Sequence, residues 1–390
     1  MNKNKKTYVI FFCAIGIIVL GIVLLRGNGA ENIEAANNSI SSSTTGQQLE
    51  NNEEGIKADF GKTSDSSIKL TWEAVEAVYA YRIMRAETSE ESWGFLEEIK
   101  PGVTEYYDHL NNSDPNQFWY RVDAVRSDGT ILEGVPLLAS NISICVDPGH
   151  YAYASELDAT NPYGYDEGTY MLKVGLSLAR ILHDNYGIST HLTRTTDHIT
   201  VAGFSDGELD NYHISLRGEL AADDDLFISL HSNSNLENAN GRRTEDQPLT
   251  ISKPLILVNQ VAIGSSECLI QASEIGKELA RANYENGLSS TEMFDMVQQQ
   301  KELREWDDDF NDSLSVPGTV CFRTGSNGDD YYGVLRGAAV VGVPGYIIEH
   351  AHHSVEEVRK KCFESAIYET WASADARGIA RGYHFISAEK

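Results

Sequence analysis

Three apolar runs in this chain each end in a side chain that can bind a metal or move a proton. Residues 142–146 lead into Asp147-Pro148-Gly149-His150, residues 226–230 into His231, and residues 345–348 into Glu349. A short apolar run bounded by turn residues reads as a buried strand. Each of the three groups is therefore delivered at a strand's carboxyl end, where ligands collect in open α/β sheets. A fourth group, Glu167, stands just before a helix expected over residues 169–184, from which its carboxylate can project toward those strand ends. Imidazole is the commonest protein metal ligand, and carboxylates serve as ligands or as acid–base groups. Together these residues suggest a metal-dependent hydrolase.

The elements that must position these groups alternate in type. Leu172, Leu176, Ala179 and Leu182 recur at helical spacing, and Gly187 stops that helix. A strand is expected over 188–193, ending in Thr193-Arg194, then a short helix over 214–222 containing Arg217, then the strand that presents His231. This order predicts an α/β domain, a mostly parallel sheet with helices on both faces. Further on, the sequence predicts a strand over 255–258, a helix over 265–286, a short helix over 331–339 and a closing helix over 363–385. Residues 287–330 carry Glu302, Glu305, Asp307, Asp308, Asp309 and Asp312 and read as an acidic surface insertion, with the length of a lid.

A length of 390 residues predicts two or three folded units. The 31 basic against 58 acidic residues, a formal net charge of −27, exclude nucleic acid as a partner, because phosphates need Lys and Arg to neutralise them. The same balance excludes a basic patch on an anionic surface and keeps an extracellular protein soluble. Residues 8–25 are apolar and uncharged, long enough to cross a bilayer as a helix. Lys3, Lys5 and Lys6 precede them, so residues 1–7 are expected in the cytoplasm and the rest outside. A cleaved secretory signal is the rival reading, and it exports the chain equally. Residues 26–55, rich in Asn, Ser, Thr, Gly and Glu, read as a flexible linker. Of the five cysteines, Cys13 lies in the apolar segment; Cys145, Cys268, Cys321 and Cys362 allow two disulfides in an oxidising compartment. Cys145, within a strand, reads as a small buried hydrophobe.

Residues 56–140 hold short alternating runs, IKLTW, AYRIM and WYRVDAV, separated by turn residues, which predict an all-β sandwich. With IKLTW, YRIMR and FWYRVDAVRSDG the segment resembles a fibronectin type III domain. Trp72, Tyr81 and Tyr120 are assigned to its core.

Residues 141–390 resemble the zinc-dependent N-acetylmuramoyl-L-alanine amidases marked by a DPGH motif. VDPGH, Glu167 at the start of the following helix, HLTRTTD, SLRGEL, FISLHSN, and VLRG followed by VPGYIIEH match the family's segments in order. The resemblance implies one zinc held by His150, Glu167 and His231, with Glu349 as catalytic acid/base. Two imidazoles and a carboxylate leave the fourth tetrahedral position open, as catalytic zinc requires. The bond cut would join the lactyl group of N-acetylmuramic acid to L-alanine in peptidoglycan. The chain departs from the family in Ala221-Ala222, in the histidine-rich HAHHS after Glu349, and in the length between His231 and Glu349.

Lone histidines are usually structural, and His183, His191, His198 and His213 carry no special signal. Glu156 and Asp166 compete with Glu167 on the same loop. In an extended strand His350 and His352 point away from the face of Glu349, which assigns them to supporting or surface roles; His353 can return to the site and bond substrate. Arg194 and Arg217 read as structural partners for nearby acids. The alternatives to an amidase are a non-enzymatic wall-binding or regulatory protein on the same fold and a zinc peptidase acting on stem peptides. Expected partners are peptidoglycan, the membrane through the first helix, and a regulatory protein of unknown identity.

Overall fold

The alternating runs of the middle segment pair into two antiparallel sheets in the computed structural model, which describes residues 55–87, 92–110, 114–153, 164–234, 253–299, 303–307, 316–364 and 366–388. One sheet is β1 (Ala58–Lys62), β2 (Ile68–Trp72) and β5 (Glu105–Asp108). The other runs β4 (Gly94–Ile99), β3 (Val78–Ala86), β6 (Gln117–Arg126), β7 (Ile131–Leu132), with β8 (Leu137–Ser140) also paired to β6. Ile68, Leu70 and Trp72 turn inward at every second position and share one core with Tyr81, Ile83, Tyr120 and Val122. The expected aromatics are thus core residues. Tyr120 remains satisfied there by donating to Asp108 Oδ2 at 2.6 Å.

The second region has a seven-stranded sheet in the order β10-β9-β11-β15-β12-β14-β13. Its strands are β9 (Ser143–Pro148), β10 (Ser189–Leu192), β11 (Leu226–Asn233), β12 (Leu255–Val258), β13 (Arg304–Glu305), β14 (Val320–Phe322) and β15 (Gly345–His352). The helices are α1 (Glu167–Tyr186), α2 (Asp206–Asn211), α3 (Ser215–Glu219), α4 (Gln260–Ile263), α5 (Ser266–Glu285), α6 (Thr291–Val297), α7 (Gly333–Val340), α8 (Glu356–Glu364) and α9 (Ile367–Gly382). Strands β10, β9, β11 and β15 are parallel, and β12 pairs antiparallel with β15. The sheet is therefore mixed, with a parallel half that brings three carboxyl ends to one edge.

Strand alternation separates two cores. Ile144, Val146, Ile228, Leu230, Tyr346 and Ile348 pack against residues of α1, α5 and α9. Cys145, Phe227 and Ile347 face the other way, with Ala221, Val334, Leu335 and Ala338. On that second side, continuing by twos, lie Asp147, Ser229, His231 and Glu349.

Three expectations change. The residues 287–330 are not only a surface loop, because they supply α6, β13 and β14, the last an interior strand of the sheet. The closing helix is confined to α9, and a separate helix, α8, that the sequence did not suggest precedes it. The four cysteines at 145, 268, 321 and 362 are free thiols rather than disulfides. The expected cytoplasmic tail, anchor at 8–25 and nearly all of the linker lie outside the described residues; among those described, no helix is long and apolar enough to cross a membrane.

The sandwich sits directly against the α/β region. Gly187, in the left-handed conformation at φ 62°, ends α1, and a Cβ there would lie 2.5 Å from Leu138 O. Ser140 N donates to Gly187 O at 2.7 Å, Gln117 Nε2 to Tyr186 O at 2.7 Å, and Lys62 pairs with Asp225 at 2.8 Å.

Candidate metal centre

The turn after β9 is held by its own backbone and by one buried arginine. A Cβ on Gly149 would lie 2.4 Å from Leu230 O and 2.5 Å from His231 Cε1, so only glycine lets the turn pass over β11. Arg194, 2% exposed, donates to Pro148 O at 3.0 Å, Gly149 O at 3.1 Å and Gly168 O at 2.6 Å. It staples the turn to the start of α1. Its partners are main-chain carbonyls, not the acids expected from sequence. Beyond the turn, His150 has φ 56°, a sparsely populated conformation for a residue with a Cβ.

These contacts bring His150, Glu167 and His231 together. One candidate ligand atom from each lies within 4.8 Å of the other two. His150 Nε2 is 3.7 Å from Glu167 Oε2, and His231 Nδ1 is 3.1 Å from Glu167 Oε1. Glu167 is the first residue of α1, and its Oε1 also accepts from Ser232 N at 2.9 Å. Its rival Asp166 turns to Tyr153 N and the Thr169 hydroxyl instead.

The opposite nitrogen of each histidine is engaged. His150 Nδ1 is 3.0 Å from Asp210 Oδ2. His231 Nε2 is 3.1 Å from Ser229 Oγ, which donates to Asp147 Oδ2 at 2.7 Å. Both acids belong to Arg217, 1% exposed: Nε and Nη2 bind Asp147 at 2.9–3.0 Å, and Nη1 binds Asp210 Oδ1 at 3.0 Å. Thr193 Oγ1 adds a donor to Asp147 at 2.6 Å. One guanidinium thus sets the orientation of both rings, leaving His150 Nε2 and His231 Nδ1 facing Glu167.

The electrostatics follow from this crowding. Burial works against charge on His150, but Glu167 and Asp210 outweigh it and lift the ring to about 9. Burial would raise Glu167, yet His150 and His231 draw it down to about 2. Glu349 is pushed up to about 8 by burial and by Glu167. It is paired in register with His231 across β15 and β11, and its Oε2 is buried with no partner among the described residues. The donor set of two imidazoles and one carboxylate, beside an orphaned carboxyl oxygen, fits a catalytic zinc with an open coordination position.

A second trio, Cys145, His191 and Asp224, also lies within ligand reach. Its thiol is fully buried and is pushed far up by burial and by Asp224 and Asp147, which opposes the thiolate a metal needs.

His350 is buried, not superficial: Nδ1 meets His231 O at 2.8 Å and Nε2 meets Asp375 Oδ2 at 2.8 Å. His352 is buried as well. His353 does return toward the site, with Nδ1 4.0 Å from Glu167 Oε2. The sequence reading missed Asp210 and Ser229. Ser229 had a signal, two residues before His231 on one strand face; Asp210 sits on a short helix within a stretch read as loop.

A model of the N-acetylmuramoyl-L-alanine amidase family matches residues 144–381, more than half of the chain. The chain belongs to that family. The match spans His150, Glu167, His231 and Glu349 and leaves the sandwich outside. The chain is also similar to solved structures. AmiC2 of Nostoc punctiforme shows 18% identity and a TM-score of 0.37, covering 62% of this chain and 96% of that one. CwlD of Clostridioides difficile, solved with the GerS lipoprotein, shows 16% identity and a TM-score of 0.40 over 62% and 98%. The catalytic domain of CwlV from Bacillus (Paenibacillus) polymyxa var. colistinus shows 16% and 0.37 over 62% and 97%. No curated protein matches the chain.

Proposed function

We propose that the protein is a zinc-dependent amidase that hydrolyses the bond between N-acetylmuramic acid and L-alanine in peptidoglycan. The observation that carries this reading is the gathering of His150, Glu167 and His231 within 4.8 Å, beside the unpartnered Glu349 Oε2. His150 and His231 would hold one zinc through Nε2 and Nδ1, with Glu167 as the third ligand. Bound there, zinc supplies Lewis acidity toward the amide carbonyl and a water that ionises near neutral pH. Glu349 accepts a proton from the attacking water and delivers it to the L-alanine nitrogen as the C–N bond breaks. Asp210 and the Ser229–Asp147 pair hold the two rings in the tautomers that aim lone pairs at the metal.

Incubation with peptidoglycan is expected to release new L-alanine amino termini, identified by product mass spectrometry. A strong chelator should abolish the release, and added zinc should restore it. Cleavage within the stem peptide, or full activity in chelator, would overturn the assignment.

We further propose that residues 8–25 anchor the protein in the cell membrane and that the amidase works outside it. Support comes from the length and apolarity of that segment and the lysines before it. The sandwich is proposed as fibronectin type III-like, supported by its division into β1-β2-β5 and a second sheet built on β4-β3-β6. Protease protection in intact cells or spheroplasts tests the anchor: the amidase region should be digested from outside and residues 1–7 should not.

A further inference from the structure

His353 lies in the HAHHS segment that follows Glu349. Its backbone is fixed: N donates to Asn233 O at 2.8 Å, and its carbonyl accepts from Arg359 Nη1 at 2.8 Å. Its ring is fixed too, stacked on Tyr165 at 5.0 Å and 18°. Tyr165 in turn stacks on Tyr170 at 5.0 Å. The ring is 12% exposed, and its Nδ1 stands 4.0 Å from Glu167 Oε2.

The hydrogen bonds decide the tautomer. His353 Nδ1 is 3.0 Å from Ser232 O and 3.0 Å from Ser232 Oγ. A carbonyl oxygen only accepts, so Nδ1 carries the hydrogen. In the neutral ring Nε2 is then a bare acceptor, and it has no partner among the described residues. Core histidines normally satisfy both nitrogens, as His350 does with His231 O and Asp375. A rigid ring with one anchored nitrogen and one free acceptor, next to a metal ligand, is built to receive a donor from outside the protein.

We propose that His353 contacts the substrate, its Nε2 accepting a hydrogen bond from an N–H or O–H of the muramoyl-peptide. This rests on the amidase reading for the identity of the substrate. Such a bond orients the scissile amide against Glu349 without taking part in metal binding.

Asparagine and glutamine separate the two nitrogens. Asn places an amide N–H where Nδ1 was and loses the acceptor; Gln places an amide oxygen where Nε2 was and loses the anchor. Binding of N-acetylmuramoyl-L-alanyl-D-isoglutamine and of N-acetylmuramoyl-L-alanine is measured by calorimetry in the zinc-loaded protein carrying Glu349→Gln, which slows turnover. His353→Asn should weaken binding about tenfold, the scale of one lost hydrogen bond, with unchanged zinc content and melting temperature. His353→Gln should bind within about threefold of the parent yet melt lower. A penalty on the dipeptide alone assigns the donor to the peptide N–H beyond alanine; a penalty on both assigns it to the muramoyl-alanine part. The reverse ranking, Asn binding normally and Gln weakly, makes the ring an anchor only and overturns the proposal. So does an absence of binding by the parent. Turnover by the native protein tests the amidase reading separately.

Discussion

At Gly149 a single methyl group has nowhere to go. Gly149→Ala is expected to displace the turn from Leu230 O, destabilise the fold by about 1–3 kcal/mol, and separate His150 from His231. Calorimetry should therefore show both a lower melting temperature and weaker zinc binding; a loss of stability with unchanged zinc affinity would detach the turn from the site. Glu349 makes a different demand. Its carboxyl is orphaned at Oε2 and does no structural bonding there, so Glu349→Gln should fold, load zinc and bind substrate normally. Its kcat should fall by about 10²–10⁴-fold, the span of general acid–base catalysis. A variant with wild-type kcat would remove Glu349 from the mechanism. Both residues were legible in sequence, because a DPGH turn and an acid that closes an apolar run are local patterns.

At the scale of elements, α3 matters through one side chain. Arg217 reaches from it to Asp147 at the end of β9 and to Asp210 on α2. Lysine keeps the charge but cannot form the planar fork. Arg217→Lys is expected to weaken zinc binding about 10–100-fold, the usual effect of losing a partner behind a metal ligand. Competition with a chromogenic chelator measures this directly, and an unchanged affinity would reduce Arg217 to a packing residue. The sequence identified the helix and suggested that its arginine pairs with acids. It could not say which acids, because Asp147, Asp210 and Arg217 meet only when three elements pack. The 287–330 stretch shows the reverse case: its charge suggested a solvated lid, while the short run at Val320–Phe322 pairs into the sheet interior.

For the molecule as a whole, one buried cation gives a pH signature. Lys253 is fully buried, donates to Val316 O at 3.0 Å, and is held down to about 8 by desolvation. Its folded value lies below its unfolded value of 10.5, so the unfolded chain binds more protons between them. The destabilisation is full below pH 8 and relaxes as pH rises toward 10.5. Lys253→Met should therefore be more stable than the parent at pH 7, by about 1–3 kcal/mol, and the gap should shrink by pH 10. A constant gap would mean the amine does not titrate in this window. The packing of the sandwich on α1, through Gly187, Ser140 and Gln117, predicts that the two regions melt in one calorimetric transition; two separate transitions would contradict it.

The sequence alone pointed to the residues that the fold gathers at one place, to the α/β class and to the inward aromatics of the sandwich, because these follow from residue type and from periods of two and 3.6 along the chain. Tertiary structure decided what lies far apart in sequence. It turned β12 antiparallel, left the four cysteines as thiols, and brought Asp210, Ser229 and Arg217 behind the two histidines. It also left His353 with one nitrogen tied and one open. Such facts depend on which strands become neighbours and on how closely two backbones approach, and neither distance is encoded in any local stretch of the chain.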